Sequence, residues 1–170
     1  VYQAWRTGDS LEESTKRENI ATARTIARSL DDYVASTGDL LVSISENRIV
    51  KEADHAQMQS WFSAMLARYP HYANIIFVDN DGYIRAAGRR QPRGPGDTDS
   101  PVRVSDTVYY RRAMANEGVS VGDFMYGRIS GAPVVHVTYP VRNAKGERIG
   151  FVAAALMLEK IQDRVMLTGV

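Results

Sequence analysis

The sequence contains no cysteine among its 170 residues, which excludes disulfides, thiolate metal sites and cysteine nucleophiles. It also lacks an excess of either charge, because 21 Lys and Arg residues stand against 20 Asp and Glu residues. No basic run interrupts that balance, so the sequence gives no support for nucleic-acid binding. No apolar run approaches the roughly 18 residues of a membrane-spanning helix, and no segment is predicted to span a membrane.

The motifs of common catalytic and nucleotide-binding sites are missing as well, since no GxSxG, P-loop, HExxH or GxGxxG pattern occurs. The three histidines, His55, His71 and His136, are scattered, and none lies at metal-ligand spacing from another. Asp79 and Asp81 bracket a predicted hairpin turn, where turn chemistry alone favours aspartate. We therefore predict no enzymatic activity, no metal and no cofactor.

A long helical pattern covers residues 10–46. Apolar residues recur there at spacings of three and four, and no proline interrupts them. Ser10 with Glu13 matches a capping box, which predicts that the helix begins at that point. At 1.5 Å per residue the helix is about 50 Å long, more than is needed to cover one sheet. Part of its apolar stripe is predicted to meet a second subunit in a homodimer.

Residues 55–69 form a second predicted amphipathic helix, which Pro70 ends. Beyond it the spacing of the apolar residues changes to that of strands. The segments "YANIIFVD" and "YIRAAG" are predicted to pair as a hairpin around "NDG". The Pro- and Gly-rich residues 89–104 then form a predicted loop, of a length that is often functional inside a compact domain.

The second half of the chain is predicted to hold a short helix and three strands. Ser105 or Asp106 is the expected N-cap of the helix in "SDTVYYRRAMANEG", and Gly118 is its expected terminator. The strands are "SVGDFMY", "APVVHVTYPV" and "IGFVAAALML", and an exit helix follows from residue 159. Short connections make the last strands antiparallel neighbours.

These elements predict one α+β domain over residues 1–170. Its five-stranded antiparallel sheet and pocket occupy residues 73–158. The long helix and the second helix pack on one face of that sheet.

Tyrosines and arginines are the polar residues that need an explanation. Two tyrosines and two arginines are consecutive at positions 109–112. Consecutive helical positions point about 100° apart, so at most two of the four side chains can line one surface. A structural alternative stays open, in which one tyrosine packs inward and both arginines are solvated.

Further polar residues lie on the later strands. Tyr126 and Arg128 are two apart at a strand end and are predicted to project to the same side, while His136 and Thr138 share one face of the next strand. Such a set suits a carboxylate ligand, since arginine offers a bidentate fork and tyrosine and histidine offer single hydrogen bonds. The alternative is a half-buried structural histidine with one satisfied nitrogen.

The order of elements, with "DNDGYI", "SDTVYYRRAM" and "SGAPVVHVTYPVRNAKGERIGFVAAALML", resembles a Cache domain over roughly residues 15–165. Cache domains are PAS-like extracytoplasmic sensor domains of bacterial chemoreceptors, histidine kinases and diguanylate cyclases. The resemblance implies a single module, in which a long helix rises from one membrane span and the chain returns to a second span. Tyr2 and Trp5 are aromatic residues of the kind found where a membrane helix emerges. The flanking spans and a cytoplasmic output domain would lie outside this sequence.

The family's pocket lies between the short helix and the facing strands, and a common pattern there is Arg-x-aromatic-aromatic. The aromatic pair matches Tyr109 and Tyr110, but Thr107 stands in the place of the arginine. Amino-acid-sensing members carry Tyr-x-Asp before the next strand, where this chain has "YGR", ending at Arg128. A cation at that place opposes an ammonium group and favours an organic anion.

The resemblance therefore predicts a periplasmic ligand-binding sensor domain of a transmembrane signalling protein, with a small carboxylate as ligand. Tyr110 is expected to face the ligand more directly than Tyr109. The predicted ligand-binding residues are Tyr109, Tyr110, Arg112, Tyr126, Arg128 and His136. One alternative is a ligand-independent dimerisation module, and another is a PAS-like or GAF-like domain that holds a cofactor, for which no motif is present.

Overall fold

The computed structural model describes residues 2–90 and 101–168, and within these ranges it describes side chains from residue 13 to residue 163, apart from residue 26. The described residues form five helices: α1 (Tyr2–Ser45), α2 (Arg48–Lys51), α3 (His55–Arg68), α4 (Val108–Ala115) and α5 (Leu158–Thr168). They form five strands: β1 (Tyr72–Asp79), β2 (Ile84–Ala87), β3 (Ser120–Tyr126), β4 (Pro133–Arg142) and β5 (Arg148–Met157).

The strands form one antiparallel sheet in the order β2-β1-β5-β4-β3. The last strand of the chain lies in the middle, where Ala154 is paired with Ile75 on one side and with Val137 on the other. Residues 150–156 of β5 are buried without interruption, because both faces of the sheet are covered. The predicted α+β architecture with a five-stranded antiparallel sheet is confirmed.

One face of the sheet packs against α1 and α3, and we refer to it as the α1 face. Its strand residues are apolar: Ile75, Phe77, Val137, Val152 and Leu156. Leu41 and Ile44 of α1, with Met58 and Phe62 of α3, complete this core and are at most 1% exposed. The apolar stripe of α3, and that of α1 from Leu30 on, therefore cover the sheet.

The opposite face packs against α4, and we refer to it as the α4 face. It combines apolar and polar strand residues: Asn74, Ile76, His136, Thr138 and Ala155. Because successive strand residues point to opposite faces, His136 and Thr138 lie on the side away from Val137, as predicted from the sequence. The α4 face thus buries an amide, an imidazole and a hydroxyl on its strands, whereas the buried hydroxyls of Tyr72 and Thr37 under α1 share a hydrogen bond of 3.0 Å.

The start of the chain departs from the prediction in two ways. α1 begins at Tyr2, so the capping box at Ser10 is wrong, and the helix continues through a segment that contains no proline. The short helix α2 was not predicted, and Asn47 caps it by accepting a hydrogen bond from the Ile49 amide at 2.9 Å. Of the predicted loop at 89–104, residues 91–100 lie outside the described residues.

The caps of α4 also differ from the prediction. Thr107 is the N-cap, and its hydroxyl accepts a hydrogen bond from the backbone amide three positions on, at 3.3 Å. Ser105 and Asp106, the predicted caps, lie before it. The helix ends with Asn116 as its C-cap, two residues before the predicted terminator Gly118. The helix is therefore shorter at both ends than the sequence indicated.

α1 extends well beyond the sheet. The described side chains of residues 13–28 are exposed, including Ile20 at 43%, and packing against the domain core begins near Leu30. In the part of the chain that the structure describes, no helix has both the length and the apolar character needed to cross a bilayer.

Candidate functional site

α4 lies across β3 and β4 and brings Tyr109 onto the sheet. The ring of Tyr109 stacks on the ring of His136, with centroids 4.1 Å apart and an interplanar angle of 12°. Gly122 of β3 permits this approach, because a Cβ atom there would come within 2.7 Å of the Tyr109 Cβ. Burial raises the pKa of the Tyr109 phenol. The stack fixes α4 directly over the polar part of the α4 face.

A cavity of about 20 Å³ lies beneath Tyr109. Strand residues form its floor, and the turn between β3 and β4 forms one wall. Its polar lining residues are Asn74, Tyr109, Arg128, Ser130 and His136. Pockets for organic ligands usually begin at roughly 300 Å³. In this conformation the cavity is therefore closed to such a ligand.

His136 supplies a buried polar atom without a partner. The residue is 5% exposed, and its Nδ1 makes no hydrogen bond to any residue that the structure describes. Burial lowers the pKa of His136 to about 4, so the imidazole is neutral at pH 7. A neutral imidazole has one N–H donor and one acceptor nitrogen. Leaving such a group unpaired in the interior costs roughly 1–3 kcal/mol, which makes the atom a candidate for ligand recognition.

Arg128 lies where the cavity meets solvent. It lines the cavity, yet its side chain is 38% exposed. Its guanidinium donates to the backbone carbonyl of Arg103 and to the carboxylate of Asp106. The hydrogen bond from Arg128 holds the pKa of Asp106 below its usual value. The arginine is thus engaged with the segment that leads into α4.

Tyr110 points away from the cavity. Its hydroxyl donates to the backbone carbonyl of Asn80 at 2.6 Å, and its ring lies against that of Phe151 with centroids 6.0 Å apart. The structure reverses the order expected for the two tyrosines, because consecutive helical positions diverge by about 100° and Tyr109 takes the inward one.

Arg112 and Tyr126 are not brought to the cavity either. Arg112 is exposed and pairs with Asp123 of β3 at 2.9 Å. Tyr126 is 66% exposed and makes a T-shaped contact with Phe124. Because β3 ends at Tyr126, Arg128 lies in the following turn, and the prediction that the two project to the same side of one strand is wrong.

Two polar residues near the cavity were missed by the sequence analysis. Asn74 accepts hydrogen bonds from the amides of Ile75 and Arg89, both at 2.9 Å, and donates to the Arg89 carbonyl at 3.0 Å. A lone asparagine in the apolar run "YANIIFVD" was the available indication of this role. Asp106 was interpreted only as a helix cap, and nothing local in the sequence identifies its arginine partner.

A larger and more open groove, of about 540 Å³, lies between α3 and β2. Gln59, Arg85 and Arg90 are among its lining residues. Arg85 is already paired with Asp79 at 2.5 Å, and among the described residues no buried unpartnered side-chain atom lies there. In the same ranges no group of three His, Asp or Glu residues could hold a metal ion. The cavity beneath Tyr109 is the better candidate site.

Comparison with known protein families classifies the chain. A family model described as a Cache domain matches residues 7–169. The chain belongs to the Cache domain family. The resemblance that the sequence indicated is confirmed, and Cache domains of chemoreceptors and histidine kinases are extracytoplasmic sensor domains. None of the curated proteins matches the chain in sequence.

Solved structures of sensor domains share the fold of this Cache domain. The ligand-binding domain of the Campylobacter jejuni chemoreceptor Tlp3 with L-valine gives a TM-score of 0.61 at 15% identity, covering 92% of this chain and 65% of Tlp3. The ligand-binding domain of the Pseudomonas fluorescens chemoreceptor CtaA with L-serine gives a TM-score of 0.62 at 14% identity. The match covers 80% of this chain and 56% of the CtaA domain. The sensor domain of the V. cholerae histidine kinase DctB gives a TM-score of 0.64 at 16% identity. The match covers 85% of this chain and 57% of the DctB domain. The chain therefore spans between 56 and 65% of these relatives' lengths.

Proposed function

We propose that this Cache domain is the extracytoplasmic ligand-sensing part of a membrane-spanning signalling protein, and that the cavity beneath Tyr109 is its ligand site. The observation that carries the proposal is the buried, unpartnered Nδ1 of His136, a residue that lines the same cavity as Arg128. An unsatisfied polar atom in the interior is unfavourable, and a bound polar small molecule would satisfy it.

The ligand that fits these groups is a small carboxylate anion. Arg128 offers a planar fork that matches a carboxylate, and the neutral imidazole of His136 offers one further hydrogen bond. Tlp3 and CtaA hold amino acids in their structures, and a carboxylate is part of that chemistry. Tyr109 would cover the bound molecule. Tyr110, Arg112 and Tyr126 lie outside the cavity, and we assign them no ligand contact in the closed conformation.

Binding would require the cavity to enlarge, which supplies a route for the signal. The cavity of about 20 Å³ must grow severalfold, and α4 is the covering element that can move. The sheet beneath it ends in α5, where Ile161 is buried in the same core as the residues of α1. A ligand that favours the open form would thereby bias the position of α5 relative to α1.

Thermal unfolding with a panel of carboxylates, amino acids, amines and phosphate at millimolar concentration tests this function. A ligand at 100 times its Kd stabilises by about 2.7 kcal/mol, equivalent to a rise in Tm of several degrees. We expect a carboxylate to give this rise and Arg128→Ala to abolish it. Arg142→Ala is the matched control, since Arg142 pairs with Glu117 away from the cavity at similar exposure. A rise with amines alone would contradict the assignment.

A homodimer through α1 is a second candidate role, compatible with the first. The described side chains of residues 13–28 are exposed over several helical turns, and isolated helices of that length are marginal in water. A second copy of α1 would cover Ile20 and the apolar stripe. Analytical ultracentrifugation should detect a dimer that Ile20→Asp weakens, while His136→Ala and Arg128→Ala leave it unchanged. A protein that stays monomeric at high micromolar concentration would exclude this role for the isolated chain.

A further inference from the structure

We propose that the ion pair between Arg128 and Asp106 is a latch that keeps the cavity closed. In the closed form the Asp106 carboxylate binds the Arg128 guanidinium, which a ligand carboxylate would bind in its place. Breaking this pair would let the beginning of α4 swing away from the sheet and expose His136. The inference rests on the ligand site proposed above and adds how access to that site is controlled.

The segment before α4 is fixed to one side of the cavity by its backbone. The amide of Ile84 donates to the carbonyl of Val102 at 2.9 Å, and the amide of Val104 donates to the carbonyl of Gly82 at 2.8 Å. These bonds extend the β1–β2 hairpin by a short additional pairing. A segment held in this way can act as a hinge, because its backbone bonds persist when its other side is released.

On the other side of the cavity, among the described residues, the side chain of Arg128 makes the polar connection. Arg128 belongs to the β3–β4 turn, which the bond from the Gly127 amide to the Ala132 carbonyl closes at 2.9 Å. Its guanidinium reaches across to the Arg103 carbonyl and the Asp106 carboxylate. The turn and the segment before α4 are thus joined across the place where the cavity meets solvent.

The two ends of α4 are held by arginines of very different burial. At its end, Arg148 of β5 donates to the carbonyls of Ala113, Met114 and Asn116, and its side chain is only 14% exposed. At its beginning, the Arg128 and Asp106 side chains are 38% and 70% exposed, and the hydrogen bond from the Tyr110 hydroxyl to the Asn80 carbonyl is exposed as well. Exposed ion pairs are weak and readily exchanged. The beginning of α4 is therefore the end that can move.

The exchange that opens the latch conserves charge. A ligand carboxylate approaching Arg128 can replace the one carboxylate oxygen that Asp106 provides to Nη2, so the guanidinium keeps an anionic partner throughout. Asp106 returns to solvent, where a carboxylate is well hydrated. His136, which lines the same cavity, would give the ligand its second contact only after this exchange. The cavity therefore opens in the same step in which Arg128 binds the ligand carboxylate.

Chemical labelling of His136 tests the latch without any ligand. Diethyl pyrocarbonate modifies neutral imidazoles, and peptide mass spectrometry gives the rate at each histidine of the intact chain. His55 is exposed and serves as the internal reference. We expect Asp106→Asn and Arg128→Gln each to accelerate labelling of His136 relative to His55 by about two- to five-fold, the range that an exposed ion pair supports.

The control is Glu46→Gln, which breaks the ion pair with Lys51 of α2 at comparable exposure but away from the cavity and from α4. It should leave the labelling ratio unchanged. The double variant of Asp106 and Arg128 should label no faster than either single variant, because both changes remove one interaction. The exchanged pair, Asp106→Arg with Arg128→Asp, should return the ratio toward that of the original chain and guards against a general loss of folding.

Unchanged labelling in Asp106→Asn, or equal acceleration in Glu46→Gln, would overturn the latch. This outcome is distinct from failure of the ligand panel. A panel without a stabilising carboxylate removes the proposed ligand class and leaves a positive labelling result standing, whereas a carboxylate that binds without any change in labelling removes the latch and leaves the site.

Discussion

The two faces of the same five-stranded sheet are built for different purposes. The α1 face consists of apolar side chains and the hydrogen-bonded Tyr72, which α1 and α3 cover, and its core residues are at most a few per cent exposed. The α4 face buries Asn74, His136 and Thr138 and leaves one nitrogen without a partner beside a cavity. Burying polar groups is costly unless they are paired. The difference indicates that the α1 face provides stability, whereas the α4 face is less stable because it holds a polar site that can open.

Phenylalanine truncations on opposite faces should have the largest effect and separate these purposes. Phe77 and Phe151 are both at most 1% exposed, the first on the α1 face and the second in contact with Tyr109 and Tyr110. Either change to alanine should cost about 3–5 kcal/mol of unfolding free energy, measured by urea denaturation. Phe151→Ala alone should also accelerate labelling of His136 below the unfolding transition. Equal acceleration in Phe77→Ala would mean that the faces are not mechanically distinct.

The pH dependence of stability should expose the cost of the buried histidine. The pKa of His136 lies at about 4 in the folded chain against 6.5 for an ordinary histidine. Between these values the unfolded chain takes up a proton that the folded chain does not, so stability falls as the pH decreases from 6.5 to 4. The loss amounts to about 3 kcal/mol.

His136→Gln should lack this component, so the difference between its unfolding free energy and that of the original chain should shrink or reverse as the pH is lowered. Carboxylates elsewhere titrate alike in both proteins and cancel in the difference. His55→Gln is the matched control, since His55 is exposed and borders the α1 face beside Phe77. Parallel stability curves for His136→Gln and the original chain between pH 7 and pH 4 would contradict the assignment.

The sequence predicted the sheet better than it predicted the site, and α4 shows why. Alternation along β4 is a property of neighbouring residues, so it correctly separated His136 from Val137. The start of α4 depends on a distant residue. Three adjacent candidates for the N-cap occur, and Thr107 takes the position while the carboxylate of Asp106 binds Arg128, 22 positions later in the chain.

The same tertiary dependence affected the expectations for the remaining site residues. Which of two consecutive tyrosines points inward is decided by how the helix docks, and Gly122 lets it dock with Tyr109 against the sheet. The direction of Arg128 depends on where β3 ends, which is settled by the turn that follows rather than by the strand pattern. Local patterns therefore predicted the elements and their faces, whereas contacts between distant segments determine the cavity.

Removing the N-caps of α3 and α4 compares the α1 face and the α4 face through smaller losses of unfolding free energy. Asp54 caps α3 by accepting a hydrogen bond from the Gln57 amide at 3.0 Å, and Thr107 caps α4. Each change to alanine should cost about 1 kcal/mol in urea denaturation. Thr107→Ala should also accelerate labelling of His136, because it weakens the helix that covers the cavity. If Asp54→Ala accelerated that labelling as much, opening would reflect general stability instead of the α4 face.

Two tyrosine hydroxyls provide the smallest and most selective comparison. Tyr72 shares a buried hydrogen bond of 3.0 Å with Thr37 under α1, and Tyr110 donates to Asn80 near the surface at 2.6 Å. Tyr72→Phe should lower the unfolding free energy by about 1 kcal/mol and Tyr110→Phe by roughly half of that, since water can replace the exposed bond.

Calorimetric titration with a carboxylate found in the thermal panel then shows whether the Tyr110 hydroxyl anchors α4 or contacts the ligand. If the Tyr110 hydroxyl only anchors α4, its removal eases opening and affinity holds or rises slightly. A severalfold loss of affinity in Tyr110→Phe, with Tyr72→Phe unaffected, would mean that α4 rotates on binding and turns Tyr110 toward the ligand after all.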